Sequence, residues 1–236
     1  MGSENRSRGK VANDDKLFGV KEQQLAIKNA VADLSFLLER HYAEKSALQL
    51  VGNRYKLNVR QQKAVQGMSA SNSDLQIRKS KELKNIQGKT IVIDGFNLII
   101  ILESALSEAY IFKGLDGCYR DLSCVHGTYK KVKHTHKGLI MAGNTFTRLG
   151  VKEIIWYLDQ PISNSGRLKM LLLEIADLNN YNWQVELVFN PDKVLAKSEH
   201  VVVSSDAWIL NEAKQWFNLA PEILRSEKIN LFEANF

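Results

Sequence analysis

The chain is poor in the residues that cross-link or interrupt a polypeptide. Its two cysteines, Cys118 and Cys124, exclude a disulfide framework and point to a reducing compartment. The three prolines, Pro161, Pro191 and Pro221, are too few for a Pro-rich linker, and no internal repeat or low-complexity block is present. The longest apolar run, Leu98 to Leu102, falls far short of the roughly 20 residues that a spanning helix requires. The opening MGSENRSRGKVANDD has no apolar signal region, so the expectation is a cytoplasmic protein with no membrane partner. No GxGxxG follows an expected strand and no GxxxxGK[ST] occurs, which excludes dinucleotide-binding and P-loop phosphate chemistry.

What remains is an ordinary globular composition. There are 236 residues, 44% hydrophobic and 25% charged, enough for one large domain or two small ones. The net charge of +6 is unevenly spread: residues 1–88 carry +7 and residues 89–236 carry −1. A basic part joined to a near-neutral part suggests that the first meets an anionic polymer.

Composition shifts over 69–88, and the expected order is a disordered tail (1–14), a basic helical domain (15–70), a linker (71–88) and an α/β domain (89–236). In the first part Ile27, Ala30, Val31, Leu34, Leu37 and Leu38 recur at helical spacing. A second helical segment, 43–51, stops at Gly52-Asn53, and a third starts at Asn58 as N-cap. Helix, short turn and basic helix is the outline of a helix-turn-helix, with Arg54, Lys56, Arg60 and Lys63 as candidate phosphate contacts. The same apolar faces suit the seam of a homodimer.

After the boundary, expected strands at 90–94, 153–159, 183–189, 200–204 and 229–232 alternate with helices at 98–109, 128–149, 165–179 and 206–217. That order predicts a mainly parallel, Rossmann-like sheet flanked by helices. Three of the strands lead into an aspartate: Asp94, Asp159 and Asp206. Parallel strands bring such residues to one edge, where clustered carboxylates either raise their pKa values or hold a divalent cation. Oxygen-only donors favour Mg2+ or Mn2+.

Further polar residues surround this set. Asn97 in DGFN is placed to reach a metal-bound water or a phosphate, and Glu103, Asp116 and Asp121 are secondary acidic candidates. Ser163, Asn164, Ser165, Arg167 and Lys169, at the start of an expected helix, suit an anion cradle built from free backbone N–H groups. Tyr119, Tyr129 and Trp208 are candidates for base stacking. A zinc cluster of Cys118, Cys124, His126, His134 and His136 has none of the usual ligand spacings, while His126 is an alternative general base. Position 96 is Phe rather than the second Asp of a haloacid-dehalogenase phosphatase.

Asp94-Gly95-Phe96-Asn97 after an apolar strand, the strand ending in Asp159 and the late Ser204-Ser205-Asp206 resemble the PIN/NYN superfamily of metal-dependent nucleases. The whole chain resembles uncharacterised prokaryotic proteins in which a helical domain of unknown function precedes a PIN-like domain. LVGNRY, IDGFN, DGCYRDLS, HGTY, DQPISNSGR, NPD and SSDAWIL carry that resemblance. The superfamily resemblance implies Asp94, Asp159 and Asp206 as ligands to Mg2+ or Mn2+, with Asn97 assisting. It implies a nuclease that hydrolyses phosphodiester bonds in nucleic acid, RNA favoured; the alternative is a nucleic-acid or nucleotide-binding protein without chemistry.

Overall fold

The computed structural model describes residues 7–123 and 127–234. The chain opens with a helical region: α1 (Asp14–Phe18), α2 (Lys21–Glu39), α3 (Glu44–Arg54), α4 (Val59–Met68) and α5 (Asn72–Lys81). Asn58 caps α4 as expected, in a reciprocal capping box with Gln61. The apolar stripe of α2, with Ile27, Val31 and Leu34, is buried together with Phe18, Val51 and Val65.

The α/β region follows: β1 (Thr90–Asp94), α6 (Gly95–Leu106), β2 (Tyr110–Lys113), β3 (Tyr119–Arg120), α7 (Thr135–Arg148), β4 (Glu153–Asp159) and α8 (Ser165–Asn179). It continues through β5 (Trp183–Val188), α9 (Pro191–Ala196), β6 (Val201–Val203), α10 (Ala207–Glu212), α11 (Leu219–Leu224) and β7 (Asn230–Glu233). The main sheet is parallel, in the order β5-β4-β1-β6. β1 is buried almost throughout because helices cover both faces, and its side chains alternate between them. Ile91 and Ile93 join the core under α6, α7, α8 and α11, whereas Val92 joins Leu195, Ile209 and Leu210 under α9 and α10.

Strand order reverses between β1 and β6: the chain leaves β1 towards β4 and β5 and then returns to β6 on the other side. The helices that follow these two strands, α6 and α10, lie on opposite faces. A crevice therefore opens at the carboxyl ends of β1 and β6, the usual ligand position in an open parallel sheet.

Several boundaries differ from the expectation. Residues 71–88 are not a linker: most form α5, and Arg78 on that helix is buried. Residues 7–14 lie against the molecule, with Arg8 ion-paired to Glu103 and Asp14 buried. The helix expected over 128–149 begins only at Thr135, because Thr128 makes a bridge to Ser163. The last strand does not join the main sheet. β7 runs parallel to β2 in a second sheet, β3-β2-β7, and Phe112 and Phe232 from it complete the core of the helical region. Among the described residues no helix is long and apolar enough to cross a membrane.

Candidate site at the carboxyl edge of the sheet

Asp94 ends β1 and caps α6, accepting the Asn97 amide on Oδ1 at 3.3 Å and the Ser204 hydroxyl on Oδ2 at 2.9 Å. Burial pushes its carboxyl up to about 7; the bonds from Ser204 and Asn97 oppose the rise, and the charges of Asp192 and Asp206 add to it. Asp206 caps α10, accepting the amides of Trp208 at 2.9 Å and Ile209 at 3.0 Å on Oδ1. Ser204 links the two acids, because its oxygen also accepts the Asp206 amide at 3.0 Å.

Asn97 has a structural task in the fold. Its Oδ1 accepts both the amide and the hydroxyl of Ser205 at 3.0 Å, so it fastens the start of α6 to the loop after β6. Asp159 lies at the end of β4, two residues beyond the partner of Asp94 in the ladder. Its Oδ1 is buried and has no hydrogen-bond partner.

Gly95 is required by close approach rather than by a tight turn, since its φ is not positive. A Cβ there would meet Leu158 Cδ2 at 2.6 Å and the Tyr157 carbonyl oxygen at 2.9 Å. Gly95→Ala should therefore destabilise the protein by about 1–3 kcal/mol in denaturant melts, the range for overpacking a well-filled core. A loss below about 0.5 kcal/mol would show that β4 yields without strain.

One acid absent from the expectation joins this edge. Asp192, in the first turn of α9, is held above the usual carboxylate range by partial burial and by the charges of Asp206 and Asp159. The sequence signal was Asn190-Pro191-Asp192 directly after a strand, the same strand-to-helix step that places Asp94 and Asp206. Asp94 thus feels the charges of Asp192 and Asp206, and Asp192 those of Asp206 and Asp159. Among the described residues, however, no group of three His, Cys, Asp or Glu side chains stands close enough to hold a metal ion as the side chains lie.

Two of the three secondary acids are placed elsewhere. Glu103 is buried in mid-α6, ion-paired with Arg8 and accepting hydroxyls from Tyr129 and Thr135, so its oxygens are occupied. Asp116 is enclosed between Arg78 at 2.6 Å and Arg120 at 2.7 Å. Burial alone would raise it, but the charge and hydrogen bonds of Arg120 and then the charge of Arg78 hold it down at about 2. Asp121 accepts the Ser123 amide at 2.6 Å and lines a groove described below.

The expected anion cradle is partly closed by its own loop. Asn164 donates its side-chain amide to the Tyr129 carbonyl at 2.9 Å, Ser165 donates its hydroxyl to the Gln160 carbonyl at 3.3 Å, and the Ser163 amide is given to Gly127 at 2.8 Å. Arg167 is exposed on the first turn of α8 and Lys169, in the next turn, is half-buried. The basic residues of the helical region also separate. Arg60 is bonded to Asp14 at 2.6 Å, Arg54 pairs with Asp33 at 3.4 Å beside a different hollow, and Lys56 follows α3 with a positive φ. Lys63 alone of the four lines the groove at the carboxylate edge.

That groove, about 750 Å³, runs between the helical region and the sheet edge and reaches Asn97, Asp121, Ser205 and Asp206. Of the aromatic candidates, Tyr129 is buried against Glu103 and Tyr119 is half-buried, but Trp208 stands 48% exposed on the groove wall. Cys118 is buried and its thiol is pushed well up, chiefly by burial, which disfavours the thiolate that a metal needs. His134 and His136 flank the start of α7, and Cys124 and His126 lie outside the described residues.

Residues 83–222 match a domain of unknown function, DUF5616, and residues 26–81 match a protein family of unknown function, DUF434. The two matches meet at the end of α5. Over 188 residues the chain is 33% identical to the uncharacterized protein MJ0935 of Methanocaldococcus jannaschii, covering 79% of this chain and 89% of that protein. No solved structure matches.

Proposed function

The chain belongs to the family of the DUF5616 domain, and from the chemistry of its sheet edge we propose that it is a PIN-like, divalent-metal-dependent nuclease that hydrolyses phosphodiester bonds, RNA favoured. The observation that carries this reading is the buried, partnerless Oδ1 of Asp159, on the edge where Asp94, Asp192 and Asp206 repel one another. A buried carboxylate oxygen without a donor is costly, and mutual repulsion of acids is what a hard cation relieves. The donor set is oxygen only, which fits Mg2+ or Mn2+.

Asp94, Asp159 and Asp206 are the residues that would hold the ion. An ion held there would supply a lowered pKa to a water and charge neutralisation at the leaving oxygen. The chain's own residues do the positioning. Ser204 bridges Asp94 and Asp206, Asn97 holds the Ser205 backbone, and Arg167 and Lys169 are the cations nearest the Asp159 loop in sequence. A second reading, binding of nucleic acid or a nucleotide without chemistry, is favoured by the separation of the carboxylates as they stand.

Cleavage of labelled RNA and single-stranded DNA in Mn2+, Mg2+ or EDTA separates the two. The expected result is metal-dependent cleavage, faster on RNA, that falls tenfold or more in Asp159→Asn. Cleavage unaffected by that substitution sinks the assignment. Binding without cleavage in either protein supports the second reading.

A further inference from the structure

Beside the groove lies a second hollow, a basin of about 610 Å³ lined by Arg8, Lys10, Arg60 and Lys130. Among the described residues no carboxylate lines it. Its two arginines are committed to buried acids, Arg8 to Glu103 and Arg60 to Asp14. Each also pins a main chain: Arg8 Nη2 donates to the Lys130 carbonyl at 2.7 Å, and Arg60 Nη2 donates to the Gly9 carbonyl at 2.8 Å. The backbone beside Lys10 and at Lys130 is thereby fixed, while both ammonium groups stay on the surface. Lys10 has only a loose pair, 3.8 Å from an exposed Glu108. With the arginine pairs neutral, these two lysines supply the positive excess.

The basin adjoins the groove: Ser123 lines both. On the far side of Ser123 the groove is lined by Lys63, Asn97 and Trp208 and by the acids Asp121 and Asp206. Cations at one end and an exposed aromatic ring at the other match a sugar-phosphate chain whose bases are unpaired, since only an unpaired base offers its face for stacking.

We propose that the basin is a phosphate subsite for a single-stranded polynucleotide, holding the backbone of the strand whose scissile bond lies at the carboxylate edge. The register to that bond rests on the nuclease reading; the subsite itself is tested by binding alone. Lys10→Ala with Lys130→Ala removes the two exposed charges and leaves the buried pairs intact.

Fluorescence anisotropy in EDTA, where no metal supports cleavage, compares a single-stranded RNA of about 12 nucleotides with a trinucleotide. For the longer strand the double variant should bind about 5- to 20-fold more weakly. Its plot of log affinity against log salt should flatten by about 1.4, two contacts at roughly 0.7 each. The trinucleotide should bind both proteins alike. Unchanged affinity and salt slope for the longer strand overturn the subsite, and so does an equal loss for the trinucleotide, which would mark a local anion site at the groove. If the binding loss is found and no strand is ever cleaved, the subsite stands and the nuclease reading fails. If cleavage depends on Asp159 but the slope is unmoved, the subsite fails alone.

Discussion

Asp116→Asn is expected to lower the unfolding free energy by about 3–5 kcal/mol, the range for removing one partner of a buried ion pair. Asp116 is 1% exposed and is gripped by Arg78, itself 4% exposed, and by Arg120. Asparagine would keep the shape and leave two guanidinium groups without a counter-charge. The damage would spread because the same arginines join separate parts of the fold. Arg78, on α5, donates to Asn211 Oδ1 at 2.7 Å, and its carbonyl accepts the Trp216 indole at 2.8 Å. Arg120, on β3, donates to the Ser205 carbonyl at 2.9 Å, next to Asp206. Urea unfolding read by tryptophan fluorescence measures the loss, and a change under about 1 kcal/mol would show that water relieves the arginines. The carboxylate lies below its ordinary value in the fold. Its contribution is therefore complete above about 3.8 and is lost as pH falls towards about 2.

This network also shows which parts of the molecule a sequence can reveal. The strand-end acids were legible because each is local: an apolar run, an aspartate and the start of a helix lie within a few residues. The parallel sheet followed from the same alternation. Asp192 escaped because it sits one residue beyond a proline, where an acid reads as ordinary helix-start chemistry. The second sheet escaped for another reason. β7 was expected as a strand, but β3 has only two residues and β7 pairs with β2 more than 100 positions earlier, so nothing local marks that pairing.

Buried ion pairs are illegible for the same reason. Arg8 and Glu103 are 95 residues apart, and Arg78 and Asp116 are 38 apart. Until the chain folds, each of these groups reads as a surface charge. That is why Glu103 and Asp116 looked like spare metal ligands, and why Arg60 looked like a phosphate contact. The excess of +7 in residues 1–88 has to be discounted accordingly. Arg8 and Arg78 are partnered by buried acids of the α/β region and build the interface to it, whereas the Arg60–Asp14 pair ties α4 to α1 within the first part. The basic character of the first part thus serves assembly as well as the surface.

Asp94→Asn should act in the opposite direction to Asp116→Asn and stabilise the protein when a chelator is present. Asp94 is held at about 7 in the fold, mainly by burial, against an ordinary value of 3.8. Between those two values the folded state binds more protons than the unfolded state, so stability declines as pH rises through the window. Below pH 4 both states are protonated and the residue costs nothing. Above pH 7 the full cost of a buried charge applies, with a ceiling of roughly 4 kcal/mol from about 1.4 kcal/mol per pH unit. Asparagine has no such charge and can still accept the Asn97 amide, while its own amide can donate to Ser204. The variant should therefore equal the wild type near pH 4 and exceed it by about 2–4 kcal/mol at pH 8 in EDTA, measured by thermal or chemical unfolding. Mn2+ should then recover stability in the wild type and not in the variant. A stability difference independent of pH would mean that water or backbone movement already solvates the Asp94 charge. A pH-dependent difference with no response to Mn2+ would keep the buried charge and remove the support it gives to metal binding.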